Sequence, residues 1–275
     1  MGRGATGVVF RAREISNNRL VALKQLVTND RVWLQRFQRE AQTARSLSHP
    51  NILSVYELLA DTGRFYLVME LVEGTTLEAI LKTGKRYSFP DALSLLAQTA
   101  SALDHAHEKG ILHRDVKPGN LLIRADGVVK LVDFGVAKGI DSSSASSSTM
   151  VGLAVGTPDY MSPEQVDLLP LDARSDQFSL AAIAYELLTG VKPFAAESMH
   201  ALMAQIVTEP PPTLEEARRV LGPPADILAR GLAKAPAERF ANCAAFIQAL
   251  QAAAPGAKAD EAGGLFGKLK RGFFR

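Results

Sequence analysis

Residues 113–120, His113-Arg114-Asp115-Val116-Lys117-Pro118-Gly119-Asn120, followed by Asp133-Phe134-Gly135, decide how this chain is read. Between the two motifs lie β-rich runs, Leu121 to Ile123 and Val128 to Leu131, around an Ala125-Asp126-Gly127 turn, and this pattern predicts a small hairpin. Upstream, Leu93, Leu96, Ala100, Leu103 and Ala106 recur at steps of three and four, so a helix spans 92–107 and opens at Pro90-Asp91. Downstream, residues 176–189 are apolar nearly all round, the mark of a buried helix. Three further Ala/Leu-rich helical stretches are expected to follow, ending near Ala252.

The first seventy residues have a different texture. Gly7 to Arg13, Leu20 to Leu26, Ile52 to Leu59 and Phe65 to Leu71 read as strands, interrupted by one charged helix over 31–46. The run Gly2-Arg3-Gly4-Ala5-Thr6-Gly7-Val8-Val9 puts its glycines before a strand, where backbone N–H groups can approach phosphate oxygens. Val21-Ala22-Leu23-Lys24 ends an apolar strand on a lysine, whose ammonium can hold phosphate oxygens while Glu40 holds the lysine.

Taken together these residues describe phosphoryl transfer. That reaction needs a group to orient a hydroxyl and accept its proton, oxygen ligands for a hard cation such as Mg²⁺, and positive charge near the moving phosphate. The 113–120 and 133–135 motifs supply all three.

From Gly2 to about Leu250 the chain resembles a eukaryotic-like, bacterial (Hanks-type) serine/threonine protein kinase. The resemblance implies an α+β, two-lobed fold, with a small antiparallel β-sheet N-lobe carrying one helix and a larger, mainly helical C-lobe. Its boundaries would be N-lobe 1–69, hinge 70–74 and C-lobe 75–252, followed by a basic tail over 253–275. It further implies ATP and Mg²⁺ (or Mn²⁺) as cofactors and protein substrates. Position by position, Lys24 becomes the α/β-phosphate lysine and Glu40 its partner. Asp115 becomes the catalytic base, Lys117 the γ-phosphate contact, and Asn120 and Asp133 the metal ligands. Gly2, Arg3, Gly4, Ala5 and Gly7 would cover the phosphates, and Val9, Ala22 and Leu122 would sandwich adenine. Met69 would be the gatekeeper, with the backbones of Glu70 and Val72 bonding the base. Thr157 falls in the substrate-docking segment, Glu164 pairs with Arg239, and Asp176 braces the catalytic loop. Lys117, two residues after Asp115, is the serine/threonine-branch pattern.

The family also frames two departures. The chain starts one residue before the first glycine, so the first N-lobe strand is expected to be truncated and the phosphate loop anchored on one side only. That truncation leaves a weakly active pseudokinase, serving as an ATP-binding or scaffolding module, as the alternative; the docking segment disfavours a small-molecule phosphotransferase. Residues 139–149 are serine-rich, and Thr149, eight residues before Thr157, is the expected autophosphorylation site, with Arg114 to receive the phosphate.

Composition excludes other classes. The balance of 31 basic and 29 acidic residues gives no sign of a nucleic-acid binder, and 47% hydrophobic residues supply a core. The single cysteine, Cys243, forms no intrachain disulfide and no Cys-based metal cluster, which suits a reducing, cytoplasmic setting. No run is long and apolar enough for a transmembrane segment. Residues 265–275 hold four basic and five apolar residues without an acid, a composition suited to a weak membrane or partner contact, and the family allows N-lobe dimers. His107, in the absence of a neighbouring cysteine or carboxylate cluster, reads as a structural residue, and Trp33 as packing.

Overall fold

The computed structural model describes residues 2–4, 7–26, 41–61, 64–134, 158–211 and 213–254. In the N-terminal part, strands β1 (Gly2–Gly4), β2 (Gly7–Arg13), β3 (Leu20–Leu26), β4 (Val55–Asp61) and β5 (Arg64–Glu70) form one antiparallel sheet ordered β1-β2-β3-β5-β4. Of the expected helix over 31–46, residues 41–45 are described and are helical, ending well before Pro50.

The expectation of a phosphate loop anchored on one side is corrected. β1 pairs with β2 from Gly2↔Val9 to Gly4↔Gly7, so a three-residue strand flanks the loop on its other side. The strand expected at Ile52 to Leu59 begins later, at Val55. Ile52 instead forms a parallel bridge to Leu131 and is fully buried, because it belongs to the junction between the two parts of the chain. There Leu53 N donates to Leu131 O at 3.0 Å and Leu131 N to Asn51 O at 2.8 Å.

Strand register turns one face of the sheet into a site wall. Directly paired residues share a face and successive residues alternate. Val9↔Lys24, Lys24↔Leu67 and Ala22↔Met69 therefore place Val9, Ala22, Lys24, Leu67 and Met69 on one side.

The rest of the chain is mainly helical. Helix α1 (Leu77–Lys82) leads to α2 (Phe89–His107), which Ser88 caps by accepting from Asp91 N at 3.2 Å, with Pro90 in the first turn. The predicted hairpin is present as β7 (Leu121–Arg124) and β8 (Val129–Leu131). It gains a third strand that the sequence did not announce, β6 (Gly74–Thr76). Gly74 is required there, since a Cβ would lie 2.7 Å from Ile123 O across the strand pair.

After α3 (Pro163–Val166) comes α4 (Ala173–Thr189), in which every residue but Ala173, Arg174 and Glu186 is buried. Gly190 closes it at φ 77°, the left-handed cap that glycine adopts without steric cost. The core runs along α2 and α4 through Leu96, Leu103, Phe178, Leu180 and Ile183, all at most 1% exposed. Among the described residues four helices follow rather than three: α5 (Met199–Thr208), α6 (Leu214–Leu221), α7 (Pro223–Gly231) and α8 (Cys243–Ala252). The additional one, α6, is charge-rich (LEEARRVL), so a search for Ala/Leu-rich stretches passes over it. The antiparallel sheet followed by the larger helical part is the two-lobed α+β fold expected. Among the described residues no helix is long and apolar enough to cross a membrane.

Candidate active site

The site forms where the sheet face meets the loops around Asp115 and Asp133. Lys24, buried at 6% exposure on β3, donates from Nζ to Asp133 Oδ1 at 2.6 Å, closing a contact between residues 109 positions apart. Asp115 is fixed from two sides. Lys117 Nζ lies 2.7 Å from its Oδ2, and Asn120 Nδ2 donates to its backbone oxygen at 2.8 Å and to Oδ2 at 3.0 Å. With its nitrogen engaged on Asp115, the Asn120 amide keeps its oxygen for another partner. That oxygen and the Asp133 carboxylate are hard donors of the kind Mg²⁺ or Mn²⁺ takes, so the residues present fit a divalent cation.

The backbone is strained where these groups are presented. Arg114 and Asp133 hold φ of 63° and 58°, a conformation costing a non-glycine residue about 1–3 kcal/mol unless its surroundings enforce it. Asp176, buried on α4, supplies that enforcement at Arg114. Its Oδ2 accepts from His113 N and its Oδ1 from Arg114 N, both at 2.8 Å. At Asp133 the neighbours are tied as well: His113 Nε2 meets Val132 O at 2.9 Å, and the His113 ring packs on Phe134 at 4.7 Å between centroids.

Further down, Arg239 and Glu164 form a two-pronged pair, NH1–Oε1 and NH2–Oε2 both 2.8 Å, with Ser175 Oγ donating to Glu164 Oε1 at 2.7 Å. Although burial favours a neutral carboxyl, Arg239 and Ser175 hold the Glu164 carboxyl below its ordinary value. Met69 is buried on β5, Glu70 N donates to Ser54 O at 2.9 Å, and the Glu70 carboxylate is held by Lys130 at 2.9 Å. Val72 lies just beyond β5, and Leu122 on β7 pairs with Thr76 and Lys130. Between this sheet and Asp133, an apolar cavity is lined by Ala44, Leu67, Met69, Leu131 and Phe134.

Gly2, Gly4 and Gly7 have described backbones in β1 and β2. Ala5, Glu40, Thr149 and Thr157 lie outside the described residues, as do Trp33, Gly135 and the tail over 265–275, and the side chain of Arg3 is likewise not described.

Two relationships were not read from the sequence. Gln165 Nε2 donates to Arg114 O at 2.8 Å, tying α3 to the loop that carries Asp115. Its signal was present in Ser162-Pro163-Glu164-Gln165, the spacing of a capping box, and Ser162 N indeed donates to Gln165 Oε1 at 3.0 Å. The second corrects the surroundings expected for His107. Its Nε2 lies 2.8 Å from Asp176 Oδ2, Asp104 Oδ1 is 3.8 Å from its Nδ1, and Cys243 is close by. Asp104 is three residues from His107 on α2, whereas separations of 69 and more concealed Asp176 and Cys243. Burial opposes the charged ring, but Asp104 and Asp176 outweigh it and raise His107 to about 9, making it an imidazolium at neutral pH.

Comparison with known proteins agrees with this geometry. A family model described as "Protein kinase domain" matches residues 1–251. The chain is 38% identical over 245 residues, 87% of its length, to serine/threonine-protein kinase PknD of Mycobacterium tuberculosis, covering 36% of that protein. It is 38% identical over 264 residues to serine/threonine-protein kinase pkn3 of Myxococcus xanthus, covering 92% of this chain and 48% of the relative. Against serine/threonine-protein kinase PknB of Mycobacterium leprae the identity is 38% over 256 residues, 89% of this chain and 40% of the relative. The chain thus spans between about a third and a half of the length of these relatives.

Proposed function

Because this chain belongs to the protein kinase family, we propose that it moves the γ-phosphoryl group of ATP to serine or threonine hydroxyls of proteins. The observation that carries the reading is the fixed Asp115 carboxylate, held by Lys117 and Asn120 beside the Lys24–Asp133 pair.

In the proposed step the substrate hydroxyl oxygen bonds to the γ-phosphorus as the bond to the β–γ bridging oxygen breaks, ADP leaves, and the hydroxyl proton passes to Asp115. Lys117 offers positive charge beside the transferred group, and Lys24 holds the α- and β-phosphates. Family members use ATP with a divalent metal; bound through Asn120 and Asp133, Mg²⁺ would neutralise phosphate charge. Val9, Ala22 and Leu122 would enclose adenine next to the Glu70 and Val72 backbones, with Met69 behind it. The serine/threonine choice rests on Lys117 and on the relatives, which are serine/threonine-protein kinases by name.

Regulation is read from residues outside the described set. Phosphate placed on Thr149 by the enzyme itself would pair with Arg114. Transfer of labelled phosphate from ATP to a serine/threonine protein substrate tests the activity, and its absence in a folded, metal-supplied protein would overturn the reading.

A further inference from the structure

A second cluster of metal-binding side chains lies away from the Lys24–Asp115–Asp133 site, where the C-terminal turn of α2 meets the first turn of α8. Asp104 and His107, three residues apart on α2, face Cys243, which opens α8. One carboxylate oxygen of Asp104, one ring nitrogen of His107 and Cys243 Sγ lie within 4.8 Å of one another, and this is the cluster of such groups found among the described residues.

The three groups are already oriented. Asp104 Oδ1 and Oδ2 accept from Cys243 N at 3.0 Å and Ala244 N at 2.8 Å, so the carboxylate is held over the start of α8. His107 Nε2 is engaged by Asp176 at 2.8 Å. Its Nδ1 is therefore the nitrogen that faces the cluster. That atom is buried and has no hydrogen-bond partner, the nearest carboxylate oxygen being 3.8 Å away. The His107 side chain is only 9% exposed, and Cys243 is fully buried. A buried ring nitrogen without a hydrogen-bond partner, beside a carboxylate and a thiol, leaves a place for an occupant.

We infer that Asp104, His107 and Cys243 form a binding site for a borderline divalent cation of the Zn²⁺ type, joining α2 to α8. Mixed nitrogen, sulfur and oxygen donors select such an ion over Mg²⁺ or Ca²⁺, which take oxygen. Asp176 on the distal ring nitrogen is the carboxylate that histidine ligands commonly carry; it fixes the ring and leaves Nδ1 to bind. Charge also balances. One divalent cation enters while two protons leave, from His107 Nδ1 and the Cys243 thiol, so the net charge of the buried cluster does not change. Three protein ligands leave the fourth tetrahedral position to water, and Asp104, with 18% of its side chain exposed, marks the side open to solvent.

The same Asp176 carboxylate holds the His113 and Arg114 amides, so loading the site acts on a carboxylate shared with the loop that carries Asp115. The inference rests on the cluster itself and stands whether or not phosphoryl transfer is found.

Because Cys243 is the chain's sole thiol, its coordination has an unambiguous reporter. Co²⁺ is titrated into the reduced, folded 275-residue chain with excess Mg²⁺ present to occupy oxygen-ligand sites. The expected result is a sulfur-to-cobalt charge-transfer band that saturates at one Co²⁺ per chain and is displaced by Zn²⁺. Cys243→Ala should abolish the band, and Asp104→Asn should weaken Co²⁺ binding at least tenfold, with circular dichroism confirming that each variant is folded. No band in the folded wild-type chain, a band seen only after denaturation, or a band of unchanged affinity in folded Asp104→Asn would each overturn the site. If Asp104→Asn does not fold, the wild-type titration decides.

Discussion

Glu164 and Arg239 meet as a buried, two-pronged ion pair, with both oxygen–nitrogen distances 2.8 Å. The pair ties α3, which also holds the Arg114 carbonyl through Gln165, to a loop 75 residues away that leads into α8. Arg239 gives its remaining donors to the carbonyls of Ala233, Lys234 and Arg174, at 2.7 to 2.9 Å, and its guanidinium lies 4.8 Å from the centroid of the Phe178 ring.

Removing one partner should therefore be costly. Arg239→Met leaves the Glu164 carboxylate buried without its counter-charge, and a loss of about 3–5 kcal/mol is expected in urea denaturation. A loss below about 1 kcal/mol would mean that the pair is not the tie described.

The pair also sets an acid limit. Glu164 titrates below its ordinary 4.5 in the folded chain, so its stabilisation is fully present above that value. It is lost as pH falls through the lower folded value, because the unfolded chain then binds the proton more readily. Wild type should lose stability steeply below about pH 4.5, and Glu164→Gln should remove part of that slope. Identical acid profiles for the two proteins would contradict the assignment.

Asp176 accepts from the His113 and Arg114 amides, and on the proposed function it would act as a positioning residue for Asp115. Asp176→Asn keeps the volume but replaces one acceptor oxygen with a donor. On the proposed function, kcat should fall on the order of 10²-fold with the KM for ATP nearly unchanged, as expected when a catalytic group is displaced by a fraction of an ångström to an ångström. A rise in KM at constant kcat would point to nucleotide binding instead.

Gly74 is held to glycine by the close approach of β6 to β7. In Gly74→Ala the new methyl would meet Ile123 O at 2.7 Å, so the strand must move, at a cost of about 1–3 kcal/mol in thermal unfolding. Unchanged stability would show that the pairing is slack.

What the sequence disclosed followed the range of the physics involved. Local rules located β2, β3, α2 and the hairpin, because alternation, helical period and turn residues act over a few positions. β6 escaped, since Gly-Thr-Thr has no periodicity and its partner β7 is distant in the chain. The start of β4 was misplaced because Ile52 is apolar for a different reason, its bridge to Leu131. Motif residues such as Asp115 and Asn120 could be named in advance, whereas the contacts that fix them through Asp176 and Gln165 join positions more than fifty apart. The Asp104–His107–Cys243 cluster is the extreme case, spanning 139 positions between Asp104 and Cys243.

The proposed phosphoryl transfer depends on the Asp115 carboxylate. Phosphopeptide mass spectrometry on dephosphorylated chain incubated with MgATP tests it, run beside Asp115→Asn. The expected result is new phosphoserine or phosphothreonine, Thr149 among the sites, in the wild type, with the rate lowered at least about 10²-fold in Asp115→Asn. Equal phosphate in both proteins, or none in the folded wild type, would contradict it.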